Sequence, residues 1–159
     1  MKANQIFAAM DLERATEFFR QVKEASPGTF QQATAAACGA LKIRPVYMKK
    51  QPFEKRVSSI RRALSLVAAG PIAEEMLAVY FLQCRKDLLV EWLDSTKTEH
   101  EEGTLKDELP PEPATLAADA DAFLGKDDDR DRKLLLHAFA AQNVIEWPAL
   151  DALLEANSL

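Results

Sequence analysis

The sequence of residues 71–94, PIAEEMLAVYFLQCRKDLLVEWLD, decides the fold of this chain. Its apolar side chains occupy nearly every side of a helix, and a helix without a polar face is usually buried by its neighbours. Gly70 breaks the chain just before this segment, and Pro71 is well suited to the first turn of a helix. We therefore expect one helix over about 71–94, buried at the centre of the domain, with Phe81 and Trp92 in the same core.

Further helices are predicted on both sides of this segment, because apolar residues recur there with the 3.6-residue period of a helix. Glycine, which disfavours helix, accounts for only five of the 159 residues. The predicted helices lie at about 4–25, 29–41, 53–69, 71–94, 114–124, 131–142 and 148–156. The sequence thus predicts an all-α fold: a single domain over 1–159 with six or seven helices, arranged as an irregular bundle or a short stack of helical pairs.

Two stretches, 42–52 and 95–113, interrupt the helical pattern. The second is polar and acidic, and it contains Gly103 and three prolines. Irregular stretches of this length are uncommon inside small domains and are usually either functional or mobile. We therefore expect a connection at 42–52 and a polar loop at 95–113 with fast amide exchange.

The composition excludes several classes of protein. With 48% hydrophobic and 28% charged residues, the chain has the balance of a globular protein rather than a disordered one. Its longest apolar run, 76–82, is far shorter than the roughly 18–20 residues that cross a membrane, and no signal-peptide core is present. Cys38 and Cys84 lie among helix-forming apolar residues, which is typical of buried reduced thiols. We therefore expect a cytoplasmic protein that does not contact a membrane.

Charge is distributed unevenly along the chain. The basic segment, defined as residues 42–62, holds eight bases and one acid, for a net charge of +7. Residues 87–131 hold fifteen acids and four bases, for a net charge of −11, although the whole chain carries only −5. This asymmetry indicates either an interaction surface or two segments that face each other in the fold.

The sequence contains no complete motif for catalysis, cofactor binding or metal binding. It has no G-x-S-x-G elbow and no glycine-rich phosphate loop. The H-E-x-x-H zinc pattern that begins at His100 is incomplete at Thr104. The calcium-loop pattern that begins at Asp127 fails at Arg132 and Ala138. We therefore assign no catalytic, cofactor-binding or metal-ligating residue, and we favour a protein that is not an enzyme.

These observations favour a non-enzymatic protein-interaction module, an adaptor or regulatory protein with a protein partner. The alternative is a protein that binds nucleic acid or another polyanion through the basic segment, where Tyr47 and Phe53 could stack on bases. The side chains that would contact either kind of partner are Lys42, Arg44, Lys49, Lys50, Lys55, Arg56, Arg61 and Arg62. Whether acidic side chains cover these eight bases distinguishes the two hypotheses.

Overall fold

The computed structural model describes all 159 residues, Met1–Leu159, and they form two compact units. The first unit comprises Lys2–Cys84, and the second comprises Arg85–Leu159 together with Met1. The chain is mostly helical, with ten α-helices and one two-stranded β-hairpin. The predicted helical class is therefore confirmed. The predicted count of six or seven helices is wrong, because two predicted helices are divided, at Asp11 and at Arg85, and a further short helix begins at Pro45 in a predicted connection.

The Lys2–Cys84 unit contains six α-helices, one 3-10 turn and one π-helical turn. These elements are α1 (Ala3–Ala9), α2 (Leu12–Ala25), α3 (Pro27–Leu41), α4 (Pro45–Lys50), α5 (Phe53–Leu64), a 3-10 turn (Val67–Ala69), α6 (Gly70–Val79) and a π-helical turn (Tyr80–Cys84). The predicted helix over 4–25 is divided at Asp11, whose side chain accepts a 2.7 Å hydrogen bond from the Arg14 N–H and caps α2. The predicted connection over 42–52 contains α4.

An aromatic cluster forms the core of this unit. Phe7, Phe18 and Phe19 are fully buried, with ring centroids 5.0–5.8 Å apart. The π-helical turn adds Tyr80, whose ring stacks on Phe18 at a centroid distance of 4.4 Å. Such ring contacts stabilise a core beyond the burial of apolar area alone.

The predicted helix over 71–94 is in fact two helices that belong to different units. α6 passes into the π-helical turn, and Arg85 leaves the helical conformation with φ −130° and ψ 43°. Phe81 and Trp92 are both buried, but they lie in separate units. The run 83–87, QCRKD, separates the two apolar stretches, and four of its five side chains are polar or charged, which disfavours one continuous buried helix.

The Arg85–Leu159 unit has its own aromatic core. Its elements are α7 (Lys86–Ser95), β1 (His100–Glu101), β2 (Thr104–Leu105), α8 (Leu116–Leu124), α9 (Arg130–Ala140) and α10 (Pro148–Ala156). The Trp92 ring contacts Phe123 and Phe139 at centroid distances of 5.3 Å and 6.1 Å, and Phe139 contacts Trp147 at 5.0 Å. α10 begins and ends where the sequence predicts it.

The predicted loop over 95–113 is partly ordered by the hairpin. β1 and β2 pair antiparallel, and Glu102 and Gly103 join them with φ angles of 50° and 93°. Positive φ at both turn residues is the geometry of a two-residue type I′ hairpin. Further along, Trp147 Nε1–H donates a 2.8 Å hydrogen bond to the Pro110 carbonyl. The loop is therefore attached at the hairpin and at Pro110, while Leu109 stays 65% exposed.

No single helix is both long and apolar enough to cross a membrane. Only the pair formed by Phe53–Leu64 and Val67–Cys84 meets that criterion, and its two parts are bent by 97°. Side chains of this pair such as Ile60 and Leu77 are fully buried within the unit.

Candidate interaction surface

A short helix, α4, presents apolar and basic side chains side by side. α3 ends at Lys42, whose left-handed conformation, with φ 54°, turns the chain toward α4. Pro45 begins α4, and Met48 anchors it because its side chain is buried. Val46 and Tyr47 point outward and are 67% and 61% exposed. We define the α4 surface by five exposed residues, Arg44, Val46, Tyr47, Lys49 and Lys50.

The eight bases of the basic segment differ in exposure. Six are exposed, namely Lys42, Arg44, Lys49, Lys50, Lys55 and Arg62. Arg56 and Arg61 are partly buried. The Arg61 Nη1–H donates a 2.7 Å hydrogen bond to the carbonyl of Met10, the residue that ends α1. Arg61 therefore links α5 to α1, which is a structural role, and the other seven remain candidates for contact with a partner.

None of these eight bases forms an ion pair with an acid. Acids of residues 87–131 instead pair with bases of their own unit, among them Arg85, Lys86, Lys126 and Arg132, and with His100. The charge of the basic segment is therefore not neutralised by ion pairs within the chain.

A second group of cations surrounds Phe53, the first residue of α5. Arg20 and Lys23, three residues apart on α2, approach this ring with the Arg20 Cζ at 5.9 Å and the Lys23 Nζ at 5.4 Å from its centroid. Arg56 adds a third cation, with its Cζ at 5.6 Å. We name Arg20, Lys23, Phe53 and Arg56 the Phe53 cluster. Phe53 and Arg56 belong to the predicted contact region, whereas Arg20 and Lys23 are not evident from the sequence, because only the packing of α2 against α5 brings them to the ring.

In the second unit, acids hold Arg85 at the start of α7. Its guanidinium donates to Asp87 at 3.2 Å, to Asp129 at 2.8 Å, and also to Asp131. The hydrogen bond from Arg85 holds the pKa of the Asp87 carboxyl below its usual range. Asp129 additionally caps α9 by accepting a hydrogen bond from the Asp131 N–H. These aspartates therefore have structural partners.

A parallel arrangement surrounds Arg132, which is only 4% exposed. The Arg132 guanidinium donates two 3.1 Å hydrogen bonds to Glu91, and its Nε–H donates one of 2.8 Å to Asp127. Its Cζ lies 4.7 Å from the centroid of the Phe123 ring. Hydrogen bonds from Arg132 lower the pKa of both carboxyls. The acidic residues that resemble a calcium loop are thus engaged with arginine, and no group of three or more potential ligands is arranged to hold a metal ion.

The two histidines occupy separate structural positions. His100 Nε2 lies 2.7 Å from Asp94 Oδ1, and its Nδ1 accepts a hydrogen bond from the Gly103 N–H in the hairpin. His137 is buried in α9, and its Nε2–H donates a 2.8 Å hydrogen bond to the Asn157 carbonyl. Burial lowers the pKa of His137. Neither imidazole contacts a hydroxyl or thiol that it could activate.

The arrangement that can bind a partner is therefore on the Lys2–Cys84 unit, where unpaired cations lie beside exposed apolar and aromatic side chains. It can attract an anionic surface and hold it through apolar contact. Comparison with protein-family models, with curated proteins and with solved structures finds no match to this chain.

Proposed function

We propose that this chain is a non-enzymatic protein-interaction module, an adaptor or regulatory protein that contacts its partner through the α4 surface. The observation that carries the proposal is the outward orientation of Val46 and Tyr47 on a helix that also exposes the cations Lys49 and Lys50. Tyrosine and arginine are enriched where protein partners contact each other most strongly.

The chemistry of the α4 surface specifies the kind of partner. Its three cations, Arg44, Lys49 and Lys50, have no acidic partner within the chain, so an acidic protein surface would supply one. The aliphatic side chain of Val46 favours a partner with an apolar anchor, because an aliphatic group offers no stacking surface to a nucleic-acid base. We therefore propose an acidic protein segment with at least one exposed apolar side chain as the partner.

The test compares three forms of the full chain as bait for affinity capture at 50 mM and 500 mM salt. The first is the wild type, and the second carries Val46→Ser, Tyr47→Ser, Lys49→Gln and Lys50→Gln. The third is the matched control, with Lys97→Gln and Lys106→Gln, which removes two exposed cations from the second unit. A specific partner is retained by the wild type and the control and lost by the α4 variant.

Comparison of the two salt concentrations separates the ionic contribution to binding from the apolar contribution. An ionic contribution weakens at 500 mM salt, because salt screens exposed charges. Equal capture by all three forms would contradict the proposal, and so would a retained partner whose binding surface is basic. Retention that disappears on nuclease treatment would favour the second candidate function.

The second candidate is binding of nucleic acid or another polyanion through the basic segment. The specific observation in its favour is that none of the eight bases is neutralised by an acid. Exposed Tyr47 also offers a ring on which a base could stack. Against it stands the net charge of −12 carried by the rest of the chain, which repels a long polyanion.

Titration of labelled single- and double-stranded DNA and RNA at two salt concentrations decides between the two functions. With about four phosphate contacts, the logarithm of the duplex binding constant should fall against the logarithm of salt concentration with a slope near −3 to −4. Lys49→Glu with Lys50→Glu should then weaken binding to every sequence alike. Our favoured function instead predicts no binding tighter than about 10 μM at physiological salt. Submicromolar, salt-sensitive binding would overturn it.

A further inference from the structure

The Phe53 cluster concentrates positive charge around one aromatic ring. Since each of its three cationic groups lies within 6 Å of the same centroid, no two of them are more than about 12 Å apart. Like charges at such distances repel each other, and flexible Arg and Lys side chains normally spread apart in response. Attraction to the face of the Phe53 ring keeps these three together.

No acid of the chain neutralises this concentration of charge. Arg20, Lys23 and Arg56 form no ion pair, and Glu54, which follows Phe53, pairs with none of them. The Arg56 Nε–H is moreover buried and has no hydrogen-bond acceptor. Because this atom is enclosed, a ligand from solution would meet the terminal N–H groups of the partly exposed Arg56 guanidinium instead.

The backbone at the N-terminus of α5 also attracts negative charge, as the three cationic side chains do. α5 has twelve residues, begins at Phe53, and is capped by no side chain. The N–H groups of its first turn therefore have no partner within the helix, and the helix dipole places partial positive charge there. This end of α5 adds to the attraction that the three side chains exert on an anion.

We propose that the Phe53 cluster is a binding site for a phosphate group. Arginine matches the oxygens of phosphate with paired N–H donors, so Arg20 and Arg56 bind the oxygens, while Lys23 contributes a third positive charge. The Phe53 ring holds the three cations in place before the ligand arrives. The site is independent of the proposed function, because a phosphate can bind here whether or not a protein docks on the α4 surface.

The experiment titrates inorganic phosphate into the full-length, ¹⁵N-labelled protein at pH 7.5 and constant ionic strength. The readouts are the Nε–Hε signals of the arginine side chains and calorimetry. We expect saturable shifts of the Arg20 and Arg56 signals with a dissociation constant of about 1 mM. Potassium chloride at the same ionic strength should not reproduce these shifts.

Variants locate the binding. Arg56→Gln alone, and Arg20→Gln with Lys23→Gln, should each weaken phosphate binding about tenfold, because each removes a charge-assisted contact. Arg56→Lys should restore part of the loss, since it keeps the charge. Arg62→Gln is the matched control on the same helix, because this exposed cation lies outside the cluster and its loss should leave the affinity unchanged. Far-UV circular dichroism confirms that each variant is folded.

A second titration tests whether the site also binds a phosphate group that is attached to a protein side chain. N-acetyl-phosphoserine methylamide replaces inorganic phosphate in the same titration, with the unphosphorylated serine compound as its control. We expect the phosphorylated compound to bind with the same dependence on Arg56. Absence of saturable binding up to 20 mM phosphate, equal weakening by Arg62→Gln, or failure of the phosphorylated compound to bind would each overturn the proposal.

Discussion

The two units use their charged residues in opposite ways. Lys2–Cys84 holds twelve bases and seven acids, a net charge of +5, whereas Arg85–Leu159 holds eight bases and eighteen acids, a net charge of −10. In the second unit several of the scarce bases are engaged in ion pairs, and Arg85 and Arg132 each contact two or more carboxylates. In the first unit the bases are in excess, and all of them except Arg14, which pairs with Glu17, form no ion pair. The net charge of a unit therefore does not show how many of its charged side chains are free to contact a partner, because ion pairs within the unit engage some of them.

The largest expected effect concerns the aromatic core of the first unit. Phe81→Ala should lower the free energy of unfolding by about 3–5 kcal/mol, because truncation of a buried aromatic leaves a cavity. Denaturant unfolding should be followed both by circular dichroism, which reports both units, and by fluorescence of Trp92 and Trp147, which lie only in the second unit. If, as we propose, 1–159 is a single cooperative domain, both signals shift together.

The exposed Tyr47→Ala is the matched control for this prediction and should change the stability by no more than about 0.5 kcal/mol. A shift of the circular dichroism transition without a shift in tryptophan fluorescence would reject the single-domain proposal. A loss below about 1 kcal/mol would contradict the burial of Phe81.

The next effect compares one arginine from each unit. Arg132→Ala should lower the free energy of unfolding by about 2–3 kcal/mol, because it removes packing on Phe123, leaves Asp127 without this cation and leaves Glu91 with Lys126 alone. We place the value below that of a fully buried pair because both carboxylates are partly exposed to water. Arg62→Ala should cost no more than about 0.5 kcal/mol, since this base is exposed and unpaired. Equal losses by denaturant unfolding would remove the contrast between the units.

A smaller effect concerns the attachment of the loop over 95–113. Trp147→Phe removes the N–H that binds the Pro110 carbonyl, and loss of this hydrogen bond should by itself cost about 1 kcal/mol. Hydrogen exchange and limited proteolysis should then accelerate around Leu109, while the hairpin at His100–Glu101 stays protected. Unchanged exchange around Leu109 would show that the bond to Pro110 does not hold the loop.

The smallest effect is a pH dependence of the second unit. The pKa of His137 is lowered by burial, so the unfolded chain takes up a proton first as the pH falls below about 6.5. The free energy of unfolding should therefore decrease between pH 7.5 and pH 5.5, by about 1 kcal/mol or less for this one group. This pH dependence is measured by urea unfolding at each pH, with the midpoint taken from tryptophan fluorescence.

His137→Gln should flatten this dependence. Leu154→Ala, which truncates a buried side chain of α10 without removing a titratable group, is the matched control and should keep the slope. A slope that survives in His137→Gln would assign the pH dependence to other groups. Below about pH 4.5, loss of the Arg132 contacts to Glu91 and Asp127 should add to it, because the pKa of both carboxyls is lowered in the folded state.

The sequence was sufficient for the helical class and for elements with strong local signals. Pro148 begins α10 as predicted, and α9 (Arg130–Ala140) overlaps most of the predicted helix over 131–142. It was insufficient at Arg85, where the apolar residues on both sides outweighed a short polar interruption. The break there becomes evident only when Asp129 and Asp131, more than forty residues away, are seen to bind that side chain.

The candidate site could likewise be predicted only in part from the sequence. A basic segment is visible in any linear count, and the sequence also suggested Tyr47 as an accessible ring. The convergence of Arg20 and Lys23 on Phe53 depends on how α2 packs against α5, which no periodicity within either helix encodes. Arg61 was predicted to contact a partner, but its hydrogen bond to the Met10 carbonyl gives it a structural role instead.

The left-handed conformation of Lys42 has a consequence for protein engineering. Glycine adopts this conformation without the steric conflict that a side chain meets there, so Lys42→Gly would relax the turn between α3 and α4. A screen that selects only for thermal resistance would accept this substitution and thereby remove a cation next to Arg44. Stabilised variants of this protein should therefore be tested for the proposed contact with an acidic partner as well as for melting temperature.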